Sequence, residues 1–276
     1  MRVALLADIH ANLAAFEAAI RFVADWQPDQ VVIAGDLINR GPRPAECLDL
    51  ARAQAAAGWH LLRGNHEDYV LHEARASADR PDWERKLCAH TAWTLNQVRG
   101  RLDGVADWPD ALELAGPRGT CLRFLHASRL GNRAGLYHHM GPDDFSERVD
   151  ADCDVFGVGH THVPLVRRHG RPLVVNAGAV GMPFDGDPRS ALALLEYRDD
   201  AWQVRIERLD YDRARTERDF RTTGYLADGG PMTPLIHQEL QQARPRLGVW
   251  HHHFEQRVRS GQLTIEASVA ELLKTP

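Results

Sequence analysis

Short apolar runs alternate with stretches of helical spacing along the first third of the chain. Residues 2–7 are apolar after Arg2, and Leu13, Phe16, Ile20 and Val23 then recur every three or four positions until Trp26-Gln27-Pro28. The first pattern reads as a strand and the second as a helix. Residues 30–34 form another β-branched run, and Cys47, Leu48 and Leu50 lie on a second helical stretch beyond Arg40-Gly41-Pro42. A third short run, 59–62, leads into Gly64-Asn65-His66-Glu67. Strands and helices in this order predict βαβ units with right-handed parallel crossovers.

Helical spacing returns from 81 to about 99, with Trp83, Leu87, His90 and Leu95 on one face. The chain then turns strand-rich. Residues 120–125 end at His126, residues 153–158 end at Gly159-His160-Thr161-His162, and 165–168, 173–175, 191–197 and 202–209 follow as short strands. Asp199-Asp200 marks a hairpin turn. These elements predict an α/β fold, a mixed layered sandwich with a meander near its end. After about Asp210 the character changes to a charged stretch, then Gly229-Gly230-Pro231 and two helices near 234–243 and 247–259. The expected division is therefore a main domain over 1–210 and a C-terminal helical extension over 211–276. That extension could cap an active site, make a dimer contact or cover a sheet edge; the sequence leaves the oligomeric state open.

Composition narrows the class without naming a function. A chain of 276 residues with 44% hydrophobic and 26% charged positions is an ordinary globular protein, and it buries roughly three quarters of its unfolded surface. The net charge of −5 offers no basic surface to hold a polyanion by counterion release, so no stable nucleic-acid partner is expected. Cys47, Cys88, Cys121 and Cys153 are far apart, with no Cys-x-x-Cys pair, which suits a reducing cytoplasm. The run before Asp8 is too short for a signal sequence or a membrane span, so no membrane association is expected.

The polar residues at the strand ends carry the chemistry. In open α/β sheets ligands gather beyond the carboxyl ends of the strands, and Asp8, Asp36 and Asn65 each follow such an end. Asp8-Ile9-His10 places two ligand-type side chains on one side of an extended segment. Gly35-Asp36 offers a carboxylate with one oxygen for each of two cations. Gly64-Asn65-His66-Glu67 adds an amide oxygen, an imidazole and a carboxylate, and His126, His160 and His162 add three imidazoles, the side chain most used for transition metals. Taken singly, each is a common surface turn; seven ligand-type residues in series, each at a strand end, are hard to assign to independent turns. His251-His252-His253, His138-His139 and Arg167-Arg168 with Arg171 read instead as solvated faces, and Arg63 as a structural ion-pair partner.

On these motifs the sequence resembles the calcineurin-like metallophosphoesterase superfamily over about residues 1–210. The resemblance implies a four-layer αββα sandwich of two mixed sheets. It implies that Asp8, His10 and His162 hold one metal, that Asn65, His126 and His160 hold the other, and that Asp36 bridges both, while His66 is the catalytic imidazole. The cofactors implied are two divalent transition metals, manganese first, with iron, zinc, cobalt or nickel as alternatives. Two such ions bring +4 against −2 from Asp8 and Asp36, leaving charge to attract a phosphoryl group. The reaction expected is hydrolysis of a phosphomonoester or phosphodiester by a metal-activated hydroxide, with His66 as general acid. Arg40 is placed to clamp phosphate oxygens. Around Arg40 the chain is similar to the Ser/Thr phosphoprotein phosphatase and diadenosine tetraphosphate hydrolase branch, although Asn39 stands where those phosphatases carry an Asp. Gly159-His160-Thr161-His162-Val163-Pro164 and Asn176-Ala177-Gly178-Ala179 resemble small bacterial phosphodiesterases. Nucleotides, dinucleoside polyphosphates, phosphoproteins and small phosphodiesters are thus the expected substrate partners. The alternative from another class is a non-catalytic scaffold of the same fold that binds protein partners.

Overall fold

The first strand, β1 (Arg2–Leu6), is followed by α1 (Leu13–Trp26), β2 (Gln30–Ile33), α2 (Pro44–Ala56) and β3 (His60–Leu61). The computed structural model describes residues 1–77 and 79–275. β1 pairs in parallel with β2, and β2 with β3, as the alternation of strands and helices predicts. α1 begins where the Asn12 side chain accepts a hydrogen bond from Ala15 N and stops at Gln27, whose left-handed φ of 54° precedes Pro28.

Then come α3 (Asn65–Glu73), α4 (Asp82–Leu87), α5 (Ala89–Val98), β4 (Ala111–Ala115), β5 (Cys121–Leu125), α6 (Pro142–Ser146), β6 (Val155–Val158), β7 (Leu165–Arg168) and β8 (Leu173–Asn176). The long hairpin β9 (Ser190–Arg198) and β10 (Ala201–Leu209) turns at Asp199 and Asp200, both at positive φ. The strands form two five-stranded mixed sheets, in the orders β10-β9-β1-β2-β3 and β4-β5-β6-β8-β7.

Alternation along β1 explains how the sheets stack. Val3, Leu5 and Ala7 point between the sheets and meet Leu122, Phe124, Val155 and Val175, while Ala4 and Leu6 point outward to Phe16, Ala19 and Leu48 of the helices. The outer face of the second sheet is covered more thinly, by Leu136, Phe145 and Val149 against Phe156, Val158 and Val174. This is the αββα order of layers, and it turns the carboxyl ends of β1, β2, β3, β5 and β6 to one rim.

Beyond Asp210 the chain is helical: α7 (Arg213–Thr222), α8 (Tyr225–Asp228), α9 (Thr233–Gln242), α10 (Leu247–His253), α11 (Glu255–Arg259) and α12 (Ile265–Leu272). Met232, Leu235, Ile236, Leu247 and Trp250 share a core with Trp93 of α5 and with Met182. Trp250 Nε1 donates to Ser268 Oγ at 2.7 Å, which ties α10 to α12. The apolar face of these helices is thus spent on α5 and on the loop around Met182 rather than on a sheet edge.

Candidate metal centre

The loops at the rim leave their strands in a conformation that side-chain-bearing residues seldom adopt. Asp8, His10, Ala11, Asp36, Asn39, Arg40, His160 and His162 all have positive φ, between 45° and 74°. Each such residue costs on the order of 1 kcal/mol, so their concentration at one rim requires other contacts to hold it. The loops after β1 and β2 are zipped together by Asp8 N to Gly35 O, His10 N to Asp36 O and Ala11 N to Leu37 O, at 3.2, 2.9 and 2.9 Å.

Glu67 is the second clamp. It is fully buried, and its carboxylate accepts from four backbone amides: Gly64 N at 2.8 Å, Asp36 N and Leu37 N at 2.9 Å, and Ile38 N at 3.2 Å. It sits at the third position of α3, so it caps that helix and fixes the Asp36 loop with one group. Burial pushes its carboxyl up to about 7, with the Asp36 charge adding and the amides opposing. Gly64 permits the approach, because a Cβ there would overlap Asp36 Oδ1.

All seven ligand-type residues meet at this rim. Asp8, His10, Asp36 and His162 form one group, and Asp36, His126 and His160 a second, with the ligand atoms of each within 4.8 Å of one another. Asn65 Oδ1 completes the second group, 2.9 Å from His126 Nε2 and 2.8 Å from His160 Nδ1. Asp36 belongs to both: Oδ1 accepts from His66 N at 2.8 Å, while Oδ2 lies 3.7 Å from His10 Nε2 and 3.3 Å from His126 Nε2. His160 is half-buried and the others are buried.

The hydrogen bonds around the cluster suit it to cations. His10 Nδ1 faces Asn39 O at 3.3 Å, His126 Nδ1 faces Ala34 O at 2.7 Å and His162 Nδ1 faces Met182 O at 2.5 Å. A carbonyl only accepts, so these nitrogens carry protons, and the neutral rings of His10 and His162 each turn a bare Nε2 lone pair inward. His10 Nε2 and His162 Nε2 then face each other at 3.1 Å with no proton between them. Asp8 Oδ2 accepts from His160 N at 2.8 Å, whereas buried Asp8 Oδ1 has no partner. Acceptors converging without donors fit a divalent cation, and an Asp/His/Asn set fits a transition ion.

The electrostatics agree. Burial lowers His10 to about 3, His160 to about 4 and His162 well below its ordinary value, which keeps those rings neutral. Burial also raises the Asp8 carboxyl well above the usual range. Burial works against the charged form of His126 too, yet the adjacent Asp36 carboxylate, with Asp8, raises it to about 10. The two buried carboxylates therefore draw positive charge to this point, whether as a proton or as a cation.

His66 and Arg40 face the same cavity of about 620 Å³, which is also lined by Asp36, Asn65, His160 and His162. His66 lies in the first turn of α3 rather than in a loop. Its Nδ1 is 3.1 Å from Asn39 Nδ2. The orientation of Asn39 is fixed by its neighbours, because Oδ1 accepts from Arg40 N at 2.9 Å and from Thr94 Oγ1 at 3.2 Å. Nδ2 must then donate, both to Thr91 Oγ1 and to His66 Nδ1, so the His66 proton sits on Nε2. The Arg40 side chain makes no hydrogen bond or ion pair among the described residues, and its Nε is buried.

Several contributors carry no sequence signal as ligands. The role of Glu67 is visible only once α3 and the Asp36 loop are juxtaposed, although its three-residue spacing from Gly64 is a capping signature. Phe184 stacks on His162 with centroids 4.2 Å apart, and the Met182 carbonyl orients the same ring. Arg63 pairs with Asp68 at 3.0 Å and Asp110 at 2.7 Å, as expected of a structural residue. His138, His139, His251, His252 and His253 are exposed.

The chain is 27% identical over 190 residues to phosphodiesterase YfcE of Escherichia coli (strain K12), covering 69% of this chain and 85% of that protein. It is 24% identical over 226 residues to uncharacterized protein MJ0912 of Methanocaldococcus jannaschii, covering 76% and 88%. The crystal structure of a metallophosphoesterase from Sphaerobacter thermophilus superposes with a TM-score of 0.67 at 27% identity, over 88% of this chain and 99% of that one. The family model described as the calcineurin-like phosphoesterase superfamily domain matches residues 1–200, and the chain belongs to that superfamily.

Proposed function

We propose that this protein hydrolyses phosphoesters at a centre of two divalent cations. Asp8, His10 and His162 would hold one ion, Asn65, His126 and His160 the other, and Asp36 both. One observation carries the reading: the unprotonated Nε2 atoms of His10 and His162 face each other in a buried cluster that shares the Asp36 carboxylate with His126 and His160. Two bound divalent cations would lower the pKa of water towards about 7 and neutralise phosphoryl oxygens.

The chain's own residues supply the rest. With only Asp8 and Asp36 as anionic ligands, the centre keeps a positive surplus, and Arg40 adds an unpaired guanidinium in the same cavity. That combination favours an anionic substrate and holds two of its oxygens. His66 stands over the leaving side and donates from Nε2. An amide at position 39 presents a donor to Nδ1, whereas a carboxylate would present an acceptor and stabilise the doubly protonated ring. The leaving oxygen is therefore hydrogen-bonded by a neutral imidazole, which favours leaving groups that depart readily as anions. Likeness to a named phosphodiesterase supports small phosphodiesters as the first substrates, and manganese is the first ion to supply. The four cysteines are free thiols, which supports a cytoplasmic location.

The test is hydrolysis of bis(p-nitrophenyl) phosphate by manganese-loaded protein. Wild type turns it over and loses the activity with chelator. His66→Ala keeps its bound metal and loses about 10²- to 10³-fold in kcat, the scale of removing one donor to a developing oxyanion. Full activity in His66→Ala excludes it from the reaction.

A further inference from the structure

The cavity beside the metal centre is several times larger than a phosphoryl group requires, and the C-terminal helices build its far wall. Leu87, Met232, Leu247 and Phe184 make that wall largely apolar. Polar groups interrupt it, Glu239 among them. Glu239 of α9 lines the cavity and is fully buried; its Oε1 accepts from Arg246 N at 2.7 Å and Leu247 N at 2.8 Å. Its Oε2 has no partner, and no cation pairs with it among the described residues. His90, also on the cavity wall, leaves Nδ1 without a partner, as does the buried Tyr225 hydroxyl, on which the charges of Arg40 and Glu239 both act. A buried carboxylate oxygen without a donor costs free energy that neither the fold nor the proposed hydrolytic step offsets. An apolar cavity of this size with a few convergent polar atoms is the usual form of a small-molecule site.

We propose that this cavity is the leaving-group subsite and that it takes an aromatic group carrying an amino donor, as an aminopurine does. The amino group donates to Glu239 Oε2, the ring lies against the apolar wall, and the phosphoryl end lies towards Arg40. The specificity follows from the orphan acceptor: a ligand that supplies the donor satisfies it, and an isosteric ligand without the donor leaves it buried and unpaired. The proposal depends on the hydrolase reading only for the placement of the phosphoryl end.

Calorimetric binding of adenosine and of purine riboside, which lacks the amino group, tests the subsite without any hydrolysis. Wild type is expected to prefer adenosine by about tenfold or more, the scale of leaving one buried acceptor unsatisfied. Glu239→Gln keeps an oxygen for the Arg246 and Leu247 amides and puts a donor in place of Oε2, so the preference falls to about onefold. In Gly248→Trp a side chain is added to an exposed position on the cavity wall, where a Cβ meets nothing within 4 Å; adenosine binding is expected to weaken by about tenfold or more. Equal binding of the two nucleosides by wild type, an unchanged preference in Glu239→Gln, or unchanged binding in Gly248→Trp overturns the proposal. Hydrolysis of bis(p-nitrophenyl) phosphate by wild type separates the two readings. Nucleoside selectivity without hydrolysis sinks the hydrolase and keeps the subsite, and hydrolysis without selectivity does the reverse.

Discussion

Asp36→Asn is expected to fold and to lose the proposed metal-dependent phosphoester hydrolysis by roughly 10³-fold or more, a loss of several kcal/mol of transition-state stabilisation. Asp36 is the one side chain common to both ligand groups. Its Oδ1 is committed to His66 N at 2.8 Å. If asparagine keeps that bond, its NH₂ replaces Oδ2 between the inward nitrogens of His10 and His126, where a donor satisfies a ring and repels a cation. If it flips, the His66 amide loses its acceptor and the first turn of α3 shifts. Either way the centre loses one of its two negative charges and its shared oxygen. Metal content measured alongside rate separates lost ions from misplaced ions, and wild-type turnover in this variant contradicts the assignment.

Glu67→Ala costs on the order of 4 kcal/mol or more, because it strands four buried amides at roughly 1 kcal/mol or more each. Domains are stable by only about 5–15 kcal/mol, so this change removes a large share of the total. The amides belong to Gly64, Asp36, Leu37 and Ile38, so the same substitution frees the loop that carries Asp36 and the start of α3 that carries Asn65 and His66. Glu67→Gln falls between, since its one oxygen serves two amides and its NH₂ opposes the other two. Urea denaturation of the three proteins measures the order. A Glu67→Ala variant within 1 kcal/mol of wild type shows that the loops hold themselves and that the carboxylate is incidental.

The clamp was the part of the site least legible in the sequence. The strands β1, β2, β5 and β6 are clear because their apolar runs are bounded by turns and ligand-type residues, and the same punctuation picks out the seven residues that gather at the rim. β4 is not, because Ala111-Leu112-Glu113-Leu114-Ala115 only half-buries alternate residues on a sheet edge and lacks β-branched side chains. α7 is hidden for the opposite reason. Its sequence is mostly charged, only Thr216, Asp219 and Phe220 are buried, and it is held by bonds such as Arg43 to Asp219 at 2.7 Å. α3 was obscured by its own chemistry, since Asn65 and His66 read as loop residues although Glu67 supplies the capping bond that starts the helix. The helical stretch 247–259 is broken at Phe254, which divides α10 from α11. Periodicity also cannot say what the extension packs against; that depends on Trp93 and Met182, distant in sequence from the helices they meet. Asn39 departs from the phosphatase pattern in the sequence, but only the fixed orientation of its amide reveals how it sets the His66 tautomer.

In the proposed centre, distant loops gather around two cations that share Asp36. Crystals grown with manganese and measured above its absorption edge test this arrangement directly. Two anomalous peaks are predicted, one among Asp8, His10 and His162 and one among Asn65, His126 and His160, with Asp36 Oδ2 between them. A single peak, or peaks at other residues, contradicts it.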